Sequence, residues 1–524
     1  MKTARNADEV NVKWAKSYKG TSMWANMGAP IIVGDNIYVA VKDKIKKIDK
    51  NTGEELAEGT MASSVGFFSF ACYGDGMLFV PAGGRVQAFD ADTLESLWMT
   101  EASGYQTNAP VIYNDGRIYM GLTNGSASEG EFFCVDTKDD DPAKTDEIKP
   151  YLWEDKASAC YWAGAAVVGN AVIYGNDAGE LQSRDKVTGE AIDILYVDSN
   201  IRSSVAYDET TGDIYFTAKD AARAYGMKLN DDGSFDKTTL RAGDVQGLTT
   251  TTPVVYNGRV YVTSGSMDDP SVNAITVLNA DTMEKIYEAS LGGICQASPL
   301  MSTAYANAGN KNTVYLYVTL NNSTSEVKVI RDYEGNTTPD VQSLYVPEPE
   351  FQQYCTHSLI CDDEGTIFHR NDGGNLIALS ATPSEALTAV DKVTDQIAAL
   401  GEITDLSQKD AVVAARAAYD ALSAEQQAMV LNADVLTAAE AKIAALEEAA
   451  KQEQPEQKPS ENPEQKPAAD NADKGAQTQN KAKTAGVNVG TGIFASQNVL
   501  GAAAVFAALA VLGGAAFVRY RRQK

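Results

Sequence analysis

Few residues in this chain could do chemistry, and their spacing does not build a catalytic centre. Only two histidines occur in 524 residues, His357 and His369, which argues against a multi-histidine metal site. The six cysteines are Cys72, Cys134, Cys160, Cys295, Cys355 and Cys361. None is adjacent to another and none forms a C-x-x-C pair, so a zinc ribbon or a vicinal disulfide is not expected. Buried free thiols are. Three acidic runs, "TKDDDPAKTDE" (137–147), "NDDGSFD" (230–236) and "SMDDP" (266–270), offer carboxylates of the kind calcium takes. They lack the EF-hand spacing with its terminal Glu and read as hairpin tips. One set is rich in aromatic and amide groups: Trp24, Asn26, Phe67, Gln106, Asn108, Tyr161, Trp162, Arg202, Thr250, Gln296, Tyr354 and His357. A flat apolar face beside orienting hydrogen bonds suits a glycan or a peptide. The same residues would also serve as packing between repeated units. His357 is expected to be a satisfied polar group and not a general base, and no catalytic, cofactor-binding or metal residue is assigned.

These residues share a sequence position, just before the first strand of a repeated unit. The units are marked by "DNIYVA" at 35–40 and by variants starting at Gly76, Arg117, Ala171, Asp213, Arg259, Thr313 and Thr366. Many are preceded by a strand opening on Ala-Pro, Thr-Pro or Ser-Pro, as at Pro30, Pro110, Pro253 and Pro299. After most comes a third strand and a polar turn, as in "IDKNTGEEL", "FDADTLESLW", "RDKVTGEAI" and "LNADTMEKIY". Four strands at a period of roughly 40 residues are the mark of propeller blades. One such sheet cannot cover both faces, so the blades must stack around an axis and close. Eight copies predict eight four-stranded antiparallel blades over 11–381. The last copy ends at "NLIALS" without an outer strand, and "VKWAKSY" at 12–18 is expected to supply it. Trp14, Trp98 and Trp153 fall in the outer strands and are expected to pack between blades. Cys160, Cys295 and Cys355 share one lead-in position. In the turn, Asp49 and Thr52 should hydrogen-bond locally and Gly53 should supply a positive φ.

The units resemble the PQQ-like β-propeller repeat, most specifically at "AFDADTLESLW" and "KKIDKNTGEEL". That family contains quinoprotein dehydrogenases and non-catalytic propellers. For the dehydrogenases the resemblance implies a vicinal Cys-Cys disulfide and a Trp enclosing the quinone, a calcium, and an Asp base. The adjacent cysteine pair is missing here, so the non-catalytic group is the expectation, with no cofactor.

Residues 384–450 change period. Leu387, Val390, Val393, Ile397 and Leu400 recur at three or four residues, an amphipathic helix that Gly401 stops. Val412, Ala415, Tyr419 and Leu422 repeat the pattern, Ser423 with Gln426 opens a short third helix, and Leu436, Ile443 and Leu446 line a last one. This resembles the helical modules of Gram-positive surface proteins, with a stalk element expected over a ligand-binding module. Residues 451–487 are rich in Pro, Glu, Gln and Lys, with "PEQKP" twice, and predict a disordered spacer. Residues 499–518 form an uncharged apolar run long enough for a transmembrane helix, followed by "RYRRQK". The basic tail should stay cytoplasmic and the rest face outward. With Thr491-Gly492 just upstream, the segment 488–524 resembles a sortase sorting signal, although the leading Leu-Pro is replaced by Asn488-Val489. Peptidoglycan attachment through Thr491 and a plain membrane anchor both remain open. Export needs a signal, and the first 14 residues have no apolar core, so a longer precursor is expected.

The chain carries 44 Lys plus Arg against 71 Asp plus Glu, a net charge of −27. Such a surface repels phosphate backbones, so nucleic acid is excluded as a partner. The expectation is a protein on the outer face of the membrane or in the cell wall, acting as a scaffold that binds protein or glycan. The alternatives are an adhesin or glycan-capturing protein using the propeller mouth, and a quinone-dependent dehydrogenase or glycan-cleaving enzyme.

Overall fold

The computed structural model describes residues 2–20, 25–156 and 159–452. Trp24, nearly all of the 451–487 spacer, Thr491-Gly492 and the 499–518 run lie outside the described residues. Among the described residues no helix is long and apolar enough to cross a membrane.

Eight antiparallel sheets follow one another along the chain, as expected. Blade 1 is typical. Its strands Ile31–Val33, Asn36–Val41, Lys44–Asp49 and Glu55–Thr60 pair in sequence order. The second strand is the most buried of the four, because β-branched and aromatic residues there face both neighbouring blades. Blade 8 joins Ile360–Cys361, Ile367–Arg370 and Asn375–Ala381 to the N-terminal strand Val10–Ser17, running from Val10 opposite Ala381 to Ser17 opposite Asn375. The ring is therefore closed by hydrogen bonds between its two ends.

Blade 2 differs from expectation. It gains a fifth strand, Glu147–Lys149, parallel to Ser96–Thr100. The acidic insertion of blade 3 turns back to supply it, and Lys149 lies 5.6 Å from the Trp98 ring while pairing with Asp140 at 2.9 Å.

Three outer-strand tryptophans anchor blades 8, 2 and 3 to the turn of the blade that follows. Trp14 Nε1 donates to the Lys50 carbonyl (3.0 Å), Trp98 Nε1 to Thr137 (3.1 Å) and Trp153 Nε1 to Lys186 (3.3 Å). In the turn of blade 1, Asp49 Oδ1 accepts from the amides of Asn51 and Thr52, both at 2.8 Å, and Gly53 has φ +72°. A Cβ on Gly53 would stand 2.7 Å from Trp14. The turn glycine thus provides both the left-handed backbone and the seat for the indole.

Among the described residues four α-helices follow: α1 (Glu385–Ala398), α2 (Lys409–Asp420), α3 (Ala424–Met429) and α4 (Ala433–Gln452). The expected apolar positions form one core except Leu387, which is buried at the contact between α1 and the ring. Ser423 and Gln426 make the expected capping box, at 3.2 and 2.8 Å. The module is fastened to the ring through the N-terminal segment. Buried Glu9 accepts from Arg5 Nη2 (2.8 Å) and Nε (3.1 Å) and from the Ser384 amide (3.0 Å), and Arg5 Nη1 reaches Asp391 of α1 at 2.9 Å.

Candidate functional site

In a four-stranded antiparallel blade, the lead-in and the turn between strands two and three share one face. The other two turns share the opposite face. The lead-ins therefore converge at one mouth. Bridges link them directly, with Ala29 paired to Phe70 and Phe70 to Pro110. A belt of hydrogen bonds continues around the axis. The Gly164 amide donates to Ser204 Oγ (3.0 Å), the Ser204 amide to Thr252 Oγ1 (3.1 Å) and the Thr252 amide to Ser298 Oγ (2.8 Å). A lead-in hydroxyl, standing before proline at Thr252 and Ser298 and before Val205 at Ser204, thus ties one lead-in to the next.

The aromatic and amide set divides into a floor and a rim. Trp162 and His357 are buried on the floor, and Phe67 is half-buried beside them. Phe68 stacks on His357 (ring centroids 6.3 Å apart, planes at 13°) and meets Trp162 edge-on at 5.6 Å. Phe67 and Phe70 each lie 5.8 Å from the imidazole. The floor is closed by the protein's own side chains. Trp162 holds φ +65°, a strained conformation for a bulky residue. Tyr161 packs edge-on against it at 4.0 Å, and Arg202 covers both rings at 4.5 and 4.9 Å while gripping Asp177 through two 2.8 Å bonds. Asn26 and Gln106 are exposed on the rim, and Asn108 donates to Gln106 at 2.9 Å. Tyr354 is half-buried. Thr250 and Gln296 are buried, with Gln296 accepting from Asn321, so neither belongs to an open surface.

Sequence reading missed the charged group under the floor. Arg370 and Asp372 are buried and paired at 3.2 Å, and Arg370 also donates to His357 Nδ1 and to the Met27 carbonyl across the blade 8–blade 1 junction. A guanidinium only donates, so Nδ1 accepts and the neutral ring carries its proton on Nε2. Burial, and then the Arg370 charge, push the His357 pKa down to about 4. Burial also lowers His369 to about 4 and Arg370 to about 10. His357 is thus a neutral packing partner of an ion pair; its Nδ1 is engaged, while its Nε2 has no partner among the described residues, so the expectation of a fully satisfied polar group is not met.

The three lead-in thiols are buried and unpaired. Cys295 and Cys355 donate to the carbonyls of Ala297 and His357, at 3.3 and 3.4 Å, and burial pushes both pKa values up to about 12. They behave as small apolar wedges and not as nucleophiles. The acidic runs are engaged locally. Asp232 accepts from the Ser234 amide at 2.9 Å, Asp269 from that of Ser271 at 3.0 Å, and Asp141 pairs with Lys144 at 2.8 Å. Among the described residues no group of His, Cys, Asp and Glu is arranged to hold a metal.

A family profile described as outer membrane protein assembly factor BamB matches residues 11–139 and 41–211. The crystal structure of BamB from Moraxella catarrhalis is similar at 11% identity, with a TM-score of 0.51, covering 71% of this chain and 99% of that one. Quinohemoprotein alcohol dehydrogenase from Comamonas testosteroni is similar at 11% identity, with a TM-score of 0.50, covering 75% of this chain and 82% of that one. At such identities the likeness is one of fold, and it spans both a dehydrogenase and an assembly factor. No curated protein matches the chain. The body of this chain is an eight-bladed β-propeller, and its first half, with the repeated turn, is similar to the profile of the PQQ-like repeat.

Proposed function

We propose that the protein is a non-catalytic scaffold, held at the outer cell surface, that docks a protein partner across the mouth of the propeller. The observation that carries this reading is the mouth itself. Its floor is filled by Phe67, Phe68, Trp162 and His357 packed on one another, and its rim presents Asn26 and Gln106. A shallow rim of amides around large aromatics suits the anchors and hydrogen bonds of a protein interface. The helical module supports the reading too. It packs against the 304–313 turn of blade 7, which joins strands one and two, so it stands on the face opposite the mouth. Membrane anchoring, peptidoglycan attachment at Thr491 and the absence of enzymatic activity are parts of the same proposal. Its sequence support is the apolar run with its basic tail and the missing vicinal cysteine pair.

A photo-crosslinking residue at Gln106, on the rim, tests the reading in cells. The control is the same residue at Asp231, an exposed hairpin tip on the opposite face. Protein adducts at position 106 and not at 231 are expected. Adducts absent at 106, together with glycan-array binding that Tyr161→Ala abolishes, would replace the protein partner with a glycan.

A further inference from the structure

A cavity of about 140 Å³ lies on the face opposite the mouth, where the N-terminal segment, the 304–313 turn of blade 7 and helix α1 meet. Cavities of roughly this volume accept a molecule of about six heavy atoms, such as benzene. This one is polar. Its wall includes Arg5, Arg331, Tyr305, Tyr315, Asp391 and Asp395.

Some of these charges are already used and others are not. Arg5 is divided between Glu9 and Asp391. Tyr305 donates its hydroxyl to the Thr3 carbonyl at 2.6 Å. Arg331 donates through Nη2 to the Met429 carbonyl at 3.1 Å, but its buried Nε has no partner among the described residues. Tyr315 is buried against Tyr305 (centroids 5.3 Å apart), and its hydroxyl makes no hydrogen bond among the described residues. On the α1 side, Asp395 is exposed one helical turn beyond Asp391, and its carboxylate has no partner among the described residues. The cavity thus offers unspent donors on the blade 7 side and an unspent acceptor on the helix side. Of the Arg331 guanidinium only Nη2 is bound to the protein among the described residues, and a ligand carboxylate in the cavity would take the guanidinium together with the free Tyr315 hydroxyl.

We propose that this cavity binds a small α-amino acid as its zwitterion, with the carboxylate on Arg331 and Tyr315 and the ammonium on the Asp391–Asp395 edge of α1. The opposed charges match the two ends of such a molecule, and neither a simple anion nor a simple cation would satisfy both walls. The side chain must be small, because the volume leaves little beyond the shared backbone atoms. The ligand would bridge propeller and helical module and strengthen their docking.

Calorimetric titration of the full chain with L-alanine, acetate and methylammonium tests this. One L-alanine site is expected, with acetate and methylammonium at least about tenfold weaker, since each lacks one charge-assisted contact. Asp395→Asn and Arg331→Met should each weaken L-alanine by about tenfold or more. Asp395 is exposed and makes no internal bond, so its variant should melt as the parent does and keeps the test decisive should Arg331→Met loosen the module. No heat with L-alanine, acetate binding as tightly as L-alanine, or full affinity in Asp395→Asn would each overturn the proposal.

Discussion

Arg5→Met removes one partner of a buried ion pair and should release the helical module from the ring. Arg5 and Glu9 are both buried, and Glu9 accepts two side-chain bonds from Arg5, at 2.8 and 3.1 Å. Methionine keeps the length and apolar stem but leaves a buried carboxylate held only by backbone amides and the Ser384 hydroxyl. Breaking such a pair from one side costs about 3–5 kcal/mol, and the remaining donors place this site at the lower end, near ~3 kcal/mol. The Arg5–Asp391 bond adds little, because Asp391 is a third exposed and water screens it. Hydrogen–deuterium exchange of the α1 amides reads the effect directly. Opening of the module should become roughly 100-fold more frequent in Arg5→Met. The double variant Arg5→Met/Glu9→Gln leaves no buried charge and should recover most of the loss. Unchanged α1 exchange in the single variant, or a double variant as unstable as the sum of the two singles, would refute the reasoning. The pH dependence has a defined sign. Burial raises the Glu9 pKa, but the hydrogen bonds from Arg5 and Ser384 outweigh it and hold the carboxyl below its usual 4.5. The stabilisation is therefore fully present above that value and is lost as pH falls through the lower native one.

Two further perturbations follow from the same geometry. Gly34 and Gly53 both have positive φ, but a Cβ meets nothing within 4 Å at Gly34 and stands 2.7 Å from Trp14 at Gly53. Gly34→Ala should cost about 1 kcal/mol of backbone strain, and Gly53→Ala about 1–3 kcal/mol more, in urea unfolding; equal costs would mean the indole seat is unimportant. Both histidines are lowered to about 4 from 6.5, so the unfolded chain binds protons first and stability should fall as pH drops from 6.5 towards 4, by up to ~1.4 kcal/mol per pH unit for each. Imidazole NMR should show neutral rings at pH 5.5, and titration near 6.5 would contradict the buried arrangement.

Much of the ring was legible because its signals are local and repeated. The Asp/Asn-x-x-Thr turn with a positive-φ residue after it, the alternating strand pattern and, in three blades, the outer-strand Trp recur, so each copy checks the others, and the unpaired last blade predicted closure by the N-terminal strand. The fifth strand of blade 2 was not legible. It comes from an insertion whose pairing depends on where blade 3 stands beside blade 2, which no local pattern encodes. The mouth was read from position alone, so it collected rim residues such as Gln106 together with floor residues such as His357. The charged group beneath the floor did leave a trace. Two residues beyond the partner of each first strand stand Ala40, Pro81, Gly121, Gly175, Thr217, Thr263 and Thr319, and in blade 8 Arg370. An arginine in a column of small residues needs a buried counter-charge, and Asp372 supplies it. The clasp of Arg5 and Glu9 on α1 spans more than 370 residues of sequence, and nothing near Arg5 announces its partner.

The proposal that this propeller binds a partner and does not catalyse is tested most directly by its behaviour towards the quinone. Purified full-length protein, incubated with pyrroloquinoline quinone and calcium and then desalted, should retain no quinone absorbance and should not reduce an acceptor dye with alcohol or sugar substrates. A stoichiometric quinone band accompanied by substrate-dependent dye reduction would contradict the account.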